Sequence, residues 1–178
     1  LTALIHRLAT GEGQFLDVAM VDAIMSITEM SQMVYSYMGR PLQPMGNSLD
    51  GLAPYDIYPT SDGNCVIATP TEPHWQLLCS LIGRDDLMQD DRTATNRGRV
   101  RNRDLVAAAI GGWAAAHTTQ QVVDTLGGQV PVGPVYDPTD WVDDPHVAAR
   151  EMLVRVDHEH HRPTVVLNCP IKFSNDPA

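Results

Sequence analysis

The chain has 178 residues, and its 22 acidic residues against 12 basic ones give a formal net charge of −10. Such an acidic chain is poorly suited to bind nucleic acid or an anionic membrane surface. No apolar run approaches the roughly 18 residues that a membrane span needs. At this length about 70% of the unfolded chain's surface can be buried, so a stable fold requires neither a metal nor disulfides.

The three cysteines, Cys65, Cys79 and Cys169, lie far apart in sequence, form no CxxC pair and leave an odd count. We therefore expect no disulfide framework and predict a reducing, cytoplasmic location. Cys65 and Cys79 fall at buried positions of a predicted strand and a predicted helix. Both are expected to be inert core thiols rather than nucleophiles.

The first residues of the chain have the pattern of the last turns of a helix. Apolar residues recur at helical spacing before a stop at Thr10-Gly11: Leu1, Leu4, Ile5 and Leu8. A β-type run over 14–20 follows, and then an apolar helix over 22–37 that ends at Gly39. This order of helix, glycine turn, strand and helix is typical of a doubly wound parallel sheet.

The middle and the end of the chain predict a smaller unit and two more strands. The patterns indicate a Gly/Pro-rich loop over 39–52 and then a hairpin with an Asp-Gly turn, formed by 55–58 and 64–68. Three helices follow, over 72–82, 102–113 and 118–126. A Pro-broken edge strand over 130–136 and two β-prone runs, 153–157 and 164–168, complete the pattern.

We therefore predict an α/β fragment comprising the end of a doubly wound large domain and a small α+β domain. Residues 1–38 are predicted to be the end of the large domain and 39–52 a linker or loop. Residues 53–140 are predicted to form the small domain, and 141–178 a return segment to the large domain. We expect the chain to be the C-terminal part of a longer protein, the alternative being a small protein with a processed N-terminus.

Side-chain clusters give little direct chemistry. The spacing of His158, His160 and His161 matches no helical ligand pair, so a solvated loop without a metal is predicted. Five arginines between 92 and 103 follow four aspartates, which favours a solvated, self-paired surface, with an anion site as the alternative. Asp143-Asp144 before Pro145 predicts a helix entrance. Because neither a nucleophile elbow nor a phosphate-binding loop occurs, the residues alone predict no catalytic centre.

A succession of short motifs runs across nearly the whole chain. It begins with Thr10-Gly-Glu-Gly-Gln14 and Asp17-Val-Ala-Met-Val-Asp-Ala23. Further motifs follow in order: Ala53-Pro-Tyr55 with Tyr58-Pro-Thr60 and Asp62-Gly63, Trp75 with Leu78-Cys79 and Ile82-Gly-Arg84, Asp91-Arg-Thr-Ala-Thr-Asn96 with Arg99-Val-Arg-Asn-Arg103, Val130 to Val135, Asp144 to Arg150, and Pro170 to Ser174. Together they resemble class III coenzyme A transferases, the family of the L-carnitine and formyl-CoA transferases, which also includes acyl-CoA racemases.

The resemblance implies an enzyme that moves coenzyme A from an acyl-CoA to a small carboxylic acid. In that family an aspartate attacks the thioester and passes through a mixed anhydride to an enzyme-bound aspartyl-CoA thioester. The resemblance places this aspartate and the CoA-holding sheet upstream of Leu1. We therefore expect no catalytic and no cofactor-binding residue in this chain, and no tightly bound cofactor. Asp17 and Asp22 belong to the signature but are not predicted as nucleophiles.

The resemblance also suggests one surviving part of the substrate site. Family members place a glycine-bearing loop over the reacting centre, and Met45–Gly51 lies at the matching position, so Gly46, Asn47 and Gly51 are the substrate-loop candidates. A plain interdomain linker is the alternative. The identities of the acyl donor and acceptor are not predicted.

Two further expectations come from the same resemblance. Family members form interlocked homodimers, and one Met-rich helix is a candidate for that interface, with an ordinary core helix as the alternative: Met20, Met25, Met30, Met33 and Met38. The alternative functions are an acyl-CoA racemase of the same superfamily, which shuttles an α-proton, and a non-catalytic structural fragment.

Overall fold

The computed structural model describes residues 1–174. The chain packs into two compact units, one from Leu1 to Gly46 and one from Asn47 onward. Helices and strands are mixed, as the sequence predicts. Among the described residues, none of the helices has the length and apolar character to cross a membrane. The predicted division into the end of a large domain, a loop, a small domain and a return segment stays a prediction, and its last positions, 175–178, lie outside the described residues.

The first unit contains three helices: α1 (Thr2–Thr10), α2 (Met20–Ile27) and α3 (Glu29–Met38). None of the three has a buried residue, and the five methionines of the Met-rich helix are between 49% and 83% exposed. The choice between a core helix and an interface helix stays a prediction, because these apolar faces are exposed in the described part of the chain.

Two predictions for this unit are wrong. Residues 14–19 belong to neither a strand nor a helix, because the run pairs with no other described segment and a strand is stabilised by its neighbours. The predicted single helix over 22–37 is two helices that meet at Thr28. The Thr28 hydroxyl donates to the Met25 carbonyl at 3.1 Å and competes with the helical backbone there.

The second unit is built on an antiparallel three-stranded sheet: β1 (Tyr55–Pro59), β2 (Asn64–Ala68) and β3 (Val132–Pro134), in the order β1-β2-β3. The hairpin and the edge strand are confirmed, although β3 is shorter than predicted. Ile67 of the central strand is fully buried. Two helices of this unit, Arg103–Ala115 and Thr119–Leu126, pack against this sheet.

Five helices follow the hairpin: α4 (Glu72–Leu81), α5 (Asp86–Gln89), α6 (Asn96–Arg101), α7 (Arg103–Ala115) and α8 (Thr119–Leu126). Thr71 caps α4 by accepting a bond from the His74 N–H, and Thr118 forms a full capping box with Gln121. Their apolar faces and the sheet form one core, whose fully buried members include Leu78, Cys79, Ile110, Val122 and Leu126.

The last described part contains two short helices and a hairpin: α9 (Asp140–Asp143), α10 (Pro145–Ala149), β4 (Leu153–His158) and β5 (His161–Leu167). The predicted helix entrance is confirmed, because the Asp144 carboxylate accepts the Val147 N–H at 2.8 Å. Strand β5 begins at His161 rather than at 164, so the turn is shorter than predicted. Strands β4 and β5 pair in antiparallel register, and the pairing is interrupted by a bulge near Asp157.

Candidate functional site

The substrate-loop candidate Met45–Gly51 connects the end of the first unit to β1. Gly46 has φ 65° and Gly51 has φ 79°, in the left-handed region where a side chain is strained. Asn47 is exposed, and no described group accepts a hydrogen bond from its backbone N–H or from that of Gly51. The loop therefore presents backbone donors of the kind that bind carboxylates and developing oxyanions.

Arg103, the first residue of α7, binds this loop from the side of the small sheet. Its guanidinium donates from Nη1 to the Leu52 carbonyl and from Nη2 to the Leu49 carbonyl, each at 3.0 Å. The side chain is half-buried. One planar fork therefore fixes the separation of two carbonyls, one in the loop and one directly after it, which a single-point donor cannot do.

Asn96, the first residue of α6, holds the following residues of the loop. Its Nδ2 donates to the Gly51 carbonyl at 2.8 Å, and its Oδ1 accepts the Ala53 N–H at 3.2 Å. Ala53 is buried, so its N–H has no access to water as an alternative partner. The amide of Asn96 therefore pairs with the loop as a neighbouring strand would.

A third contact fixes the start of the same stretch. The Ser48 hydroxyl donates to the carboxylate of Asp56 in β1. From Ser48 to Ala53 the chain is thus bonded to side chains of the sheet and of two helices. We refer to Ser48–Ala53 as the anchored segment.

Arg99 of α6 joins the anchored segment to the core. Its side chain is 1% exposed and lies 4.7 Å from the Trp75 ring centroid. Nε donates to the Ala53 carbonyl at 2.7 Å, and Nη1 donates to the Thr93 carbonyl at 3.1 Å and to Glu72 Oε2 at 2.9 Å. The prediction of a solvated, self-paired arginine surface is therefore wrong for Arg99, although it holds where Asp90 pairs with Arg92.

Glu72, the first residue of α4, completes this network. Its other oxygen accepts the Asn96 N–H at 2.9 Å. Burial on its own raises the pKa of Glu72, but the hydrogen bonds from Arg99 and Asn96 and the charge of Arg99 outweigh it, so the pKa lies below its ordinary 4.5. The ionised carboxylate is therefore the form that the fold stabilises.

The lowered pKa of Glu72 predicts a pH-dependent contribution to stability. Since the pKa is lower in the folded than in the unfolded chain, the contribution is present above the unfolded pKa and is lost as the pH falls through the folded value. We expect Glu72→Gln to lower the free energy of unfolding at neutral pH, and its difference from wild type to shrink below pH 4.5. Urea unfolding at a series of pH values measures this. Glu12→Gln, at an exposed position, is the control, and a difference that persists in acid would contradict the assignment.

The three clustered histidines and the two core cysteines singled out in the sequence differ in their exposure to solvent. Within residues 1–174 no group of three or more His, Cys, Asp or Glu side chains could hold a metal ion, and His158, His160 and His161 are exposed. Cys65 and Cys79 are buried as predicted, and burial raises the pKa of the Cys79 thiol to about 12, which keeps it protonated at neutral pH.

Sequence reasoning identifies the loop but not the side chains that hold it. Asn96, Arg99 and Arg103 all fall in the arginine-rich stretch whose pattern favours a solvated surface. The available signal is the Thr95 cap, which places Asn96 at a helix start, together with the spacing of four residues from Arg99 to Arg103. Neither feature indicates which carbonyls of the anchored segment the side chains bind, because those carbonyls lie more than 40 positions away.

Known proteins resemble the chain along its whole length. Residues 1–178 match CoA-transferase family III. The succinyl-CoA:mesaconate CoA-transferase of Haloarcula marismortui is 40% identical over 157 residues, which are 88% of this chain and 39% of that protein. The succinate–glutarate CoA-transferase of Agrobacterium fabrum is 32% identical over 178 residues, covering 98% of this chain and 44% of that protein. The chain thus spans about two fifths of the length of these curated relatives.

Solved structures give the same result for the fold. A CAIB/BAIF family protein from Brucella suis superposes with a TM-score of 0.76 at 32% identity, covering 98% of this chain and 45% of that one. Rv3272 from Mycobacterium tuberculosis superposes with a TM-score of 0.80 at 26% identity, covering 98% of this chain and 46% of that one. The predicted fold class is confirmed by both structures.

Proposed function

Because the chain belongs to CoA-transferase family III, we propose that it is the C-terminal part of an enzyme that transfers coenzyme A from an acyl-CoA to a small carboxylic acid. The observation that carries the proposal is the match of the family over the full chain, together with relatives that are themselves CoA-transferases. The coverage of about two fifths of those relatives supports a further segment that supplies the rest of the active site.

The nucleophile in this proposal is an aspartate outside the chain, upstream of Leu1. Its carboxylate attacks the thioester carbonyl, the C–S bond breaks, and CoA leaves as the thiolate from a mixed anhydride. The thiolate then attacks the aspartyl carbonyl, which releases the donor carboxylate and leaves an aspartyl-CoA thioester. The acceptor carboxylate repeats the two steps in reverse and regenerates the aspartate. Dividing one exchange into covalent steps is the general advantage of nucleophilic catalysis.

The substrate loop is the part of this chain to which the proposal gives a role at the reacting centre. Carboxylates and oxyanions form at each step, and hydrogen-bond donors aimed at them lower the barriers. The N–H groups of Asn47 and Gly51 and the exposed amide of Asn47 are such donors. Gly46 and Gly51 keep the backbone in a conformation that lets the loop approach a substrate closely.

The proposal also covers how the protein assembles and where in the cell it works. The exposed apolar faces of α1 to α3 support burial against more of the protein or a second copy, and we propose the interlocked homodimer that the resemblance implies. CoA and the acyl-CoA act as substrates rather than as resident cofactors, and the enzyme works in the cytoplasm.

The test is a transferase assay on the product of the complete open reading frame that contains this chain. We expect the purified product to move CoA between an acyl-CoA and a dicarboxylic acid, with mesaconate and glutarate as first acceptors and succinyl-CoA as donor. Hydroxylamine added during turnover should trap an aspartyl hydroxamate that mass spectrometry locates. The 178 residues alone should be inactive. Loss of an α-deuteron from a 2-methylacyl-CoA without CoA transfer would instead establish the racemase, and inactivity towards both would leave the structural fragment.

A further inference from the structure

The anchored segment Ser48–Ala53 differs from an ordinary exposed loop in how its backbone is bonded. Two side chains, Asn96 and Arg103, bind three of its carbonyls and one N–H, at distances between 2.8 and 3.2 Å. All four bonds are to main-chain atoms. The contacts therefore fix the path of the backbone whatever side chains the segment carries.

The two side chains are themselves held in place. Each begins a helix that packs in the second unit, and the Asn96 N–H is bonded to Glu72, which pairs with the buried Arg99. Arg99 also binds the Ala53 carbonyl at 2.7 Å, at the point where the anchored segment enters the core. A displacement of the segment therefore requires several charge-assisted bonds to break together.

From this geometry we infer that Asn96 and Arg103 are positioning residues that hold the anchored segment as a rigid platform beneath the substrate, rather than as a lid that opens and closes. The inference rests on the proposed function, because it takes the loop to lie at the reacting centre. It deepens that proposal by naming the side chains that fix the backbone around the Gly51 N–H, one of the donors to which the proposed function gives a role.

The first arm of the test follows the platform without any activity. Hydrogen–deuterium exchange of peptides covering 48–53 is compared in the complete product and in three variants, Asn96→Ala, Arg103→Lys and Arg101→Ala. Arg101 is exposed and serves as the matched control on the neighbouring turn. We expect the Ala53 amide, whose buried N–H is bonded to Asn96, to exchange slowly in wild type and in Arg101→Ala. It should exchange about tenfold faster in the other two, because the acceptor of a buried N–H or a bidentate arginine pair has been lost. Fast exchange in wild type, or equal exchange in all four proteins, would overturn the rigid platform.

The second arm separates positioning from a purely structural role. We expect the kcat of folded Asn96→Ala and Arg103→Lys to fall about tenfold while KM for the acyl-CoA stays within about threefold, since only donors needed in the transition state are displaced. An unchanged kcat in variants whose segment exchanges fast would overturn the positioning role. If wild type has no transferase activity, the proposed function fails. The hydrogen–deuterium exchange comparison then still shows whether the anchored segment is rigid.

Discussion

Replacing Arg99 with Ala is expected to lower the free energy of unfolding by about 3 kcal/mol, one of the larger effects for a single substitution. The change leaves the Ala53 and Thr93 carbonyls without their donor and opens a cavity beside the Trp75 ring. The exposed half of Glu72 limits the part of the loss that comes from the broken ion pair. Chemical denaturation followed by tryptophan fluorescence measures it.

Two matched substitutions give this prediction its control. Arg97→Ala changes an exposed arginine on the same helix and should alter the free energy of unfolding by less than about 0.5 kcal/mol. Arg99→Lys keeps the charge but replaces the fork by a single ammonium group, so it should recover only part of the stability. Equal stabilities of the Arg97→Ala and Arg99→Ala proteins would show that Arg99 is not the centre of the network.

Local patterns are sufficient for several elements of the second unit. The hairpin and the helices predicted over 72–82 and 118–126 are each encoded within a few residues, and the structure confirms them. The β-type run over 14–20 is not sufficient, because a strand depends on pairing partners that no described part of the chain provides. Strand β3 is shorter than the predicted 130–136, and Pro131, which has no N–H to donate, lies directly before it.

In the candidate site, too, some features can be predicted from local sequence and others depend on distant residues. A glycine-bearing loop can be recognised from Gly46 and Gly51, because left-handed backbone conformations favour glycine. The side chains that hold the loop cannot be recognised from the sequence. An arginine that binds backbone carbonyls and an arginine that lies in solvent can stand side by side in the same stretch. Arg99 and Arg101 differ by two positions on α6, yet one is buried and the other exposed. Only the packing of α6 against α4 and the loop separates them.

The network also shows how an acidic chain can use its few cations. Arg99 and Arg103 are bonded mainly to backbone carbonyls rather than to the abundant carboxylates. A guanidinium has five donors in a fixed fork, so one buried residue can satisfy several carbonyls that a loop would otherwise leave unpaired. Arg99 and Arg103 therefore hold irregular backbone, which is a more specific role than the electrostatic pairing that the sequence indicates.

Replacing Gly46 or Gly51 with Val in the complete product is expected to lower turnover about tenfold, equivalent to about 1.4 kcal/mol in the barrier. No neighbouring atom lies within 4 Å of the Cβ that either substitution would add, so the effect does not come from a clash. It comes from backbone strain, because a β-branched residue resists the positive φ of 65° and 79° at these two positions. The measurement is kcat per folded molecule.

Gly133→Val is the control for this prediction, because Gly133 also has open space where a Cβ would be added but has no positive φ. It lies in β3, where Val is a favourable residue, so its turnover should match wild type. The comparison separates strain at the loop from the general effect of added bulk. If Gly51→Val and Gly133→Val turned over equally fast, Met45–Gly51 would be a plain linker, since a loop that positions a substrate donor cannot change its backbone conformation without changing the rate.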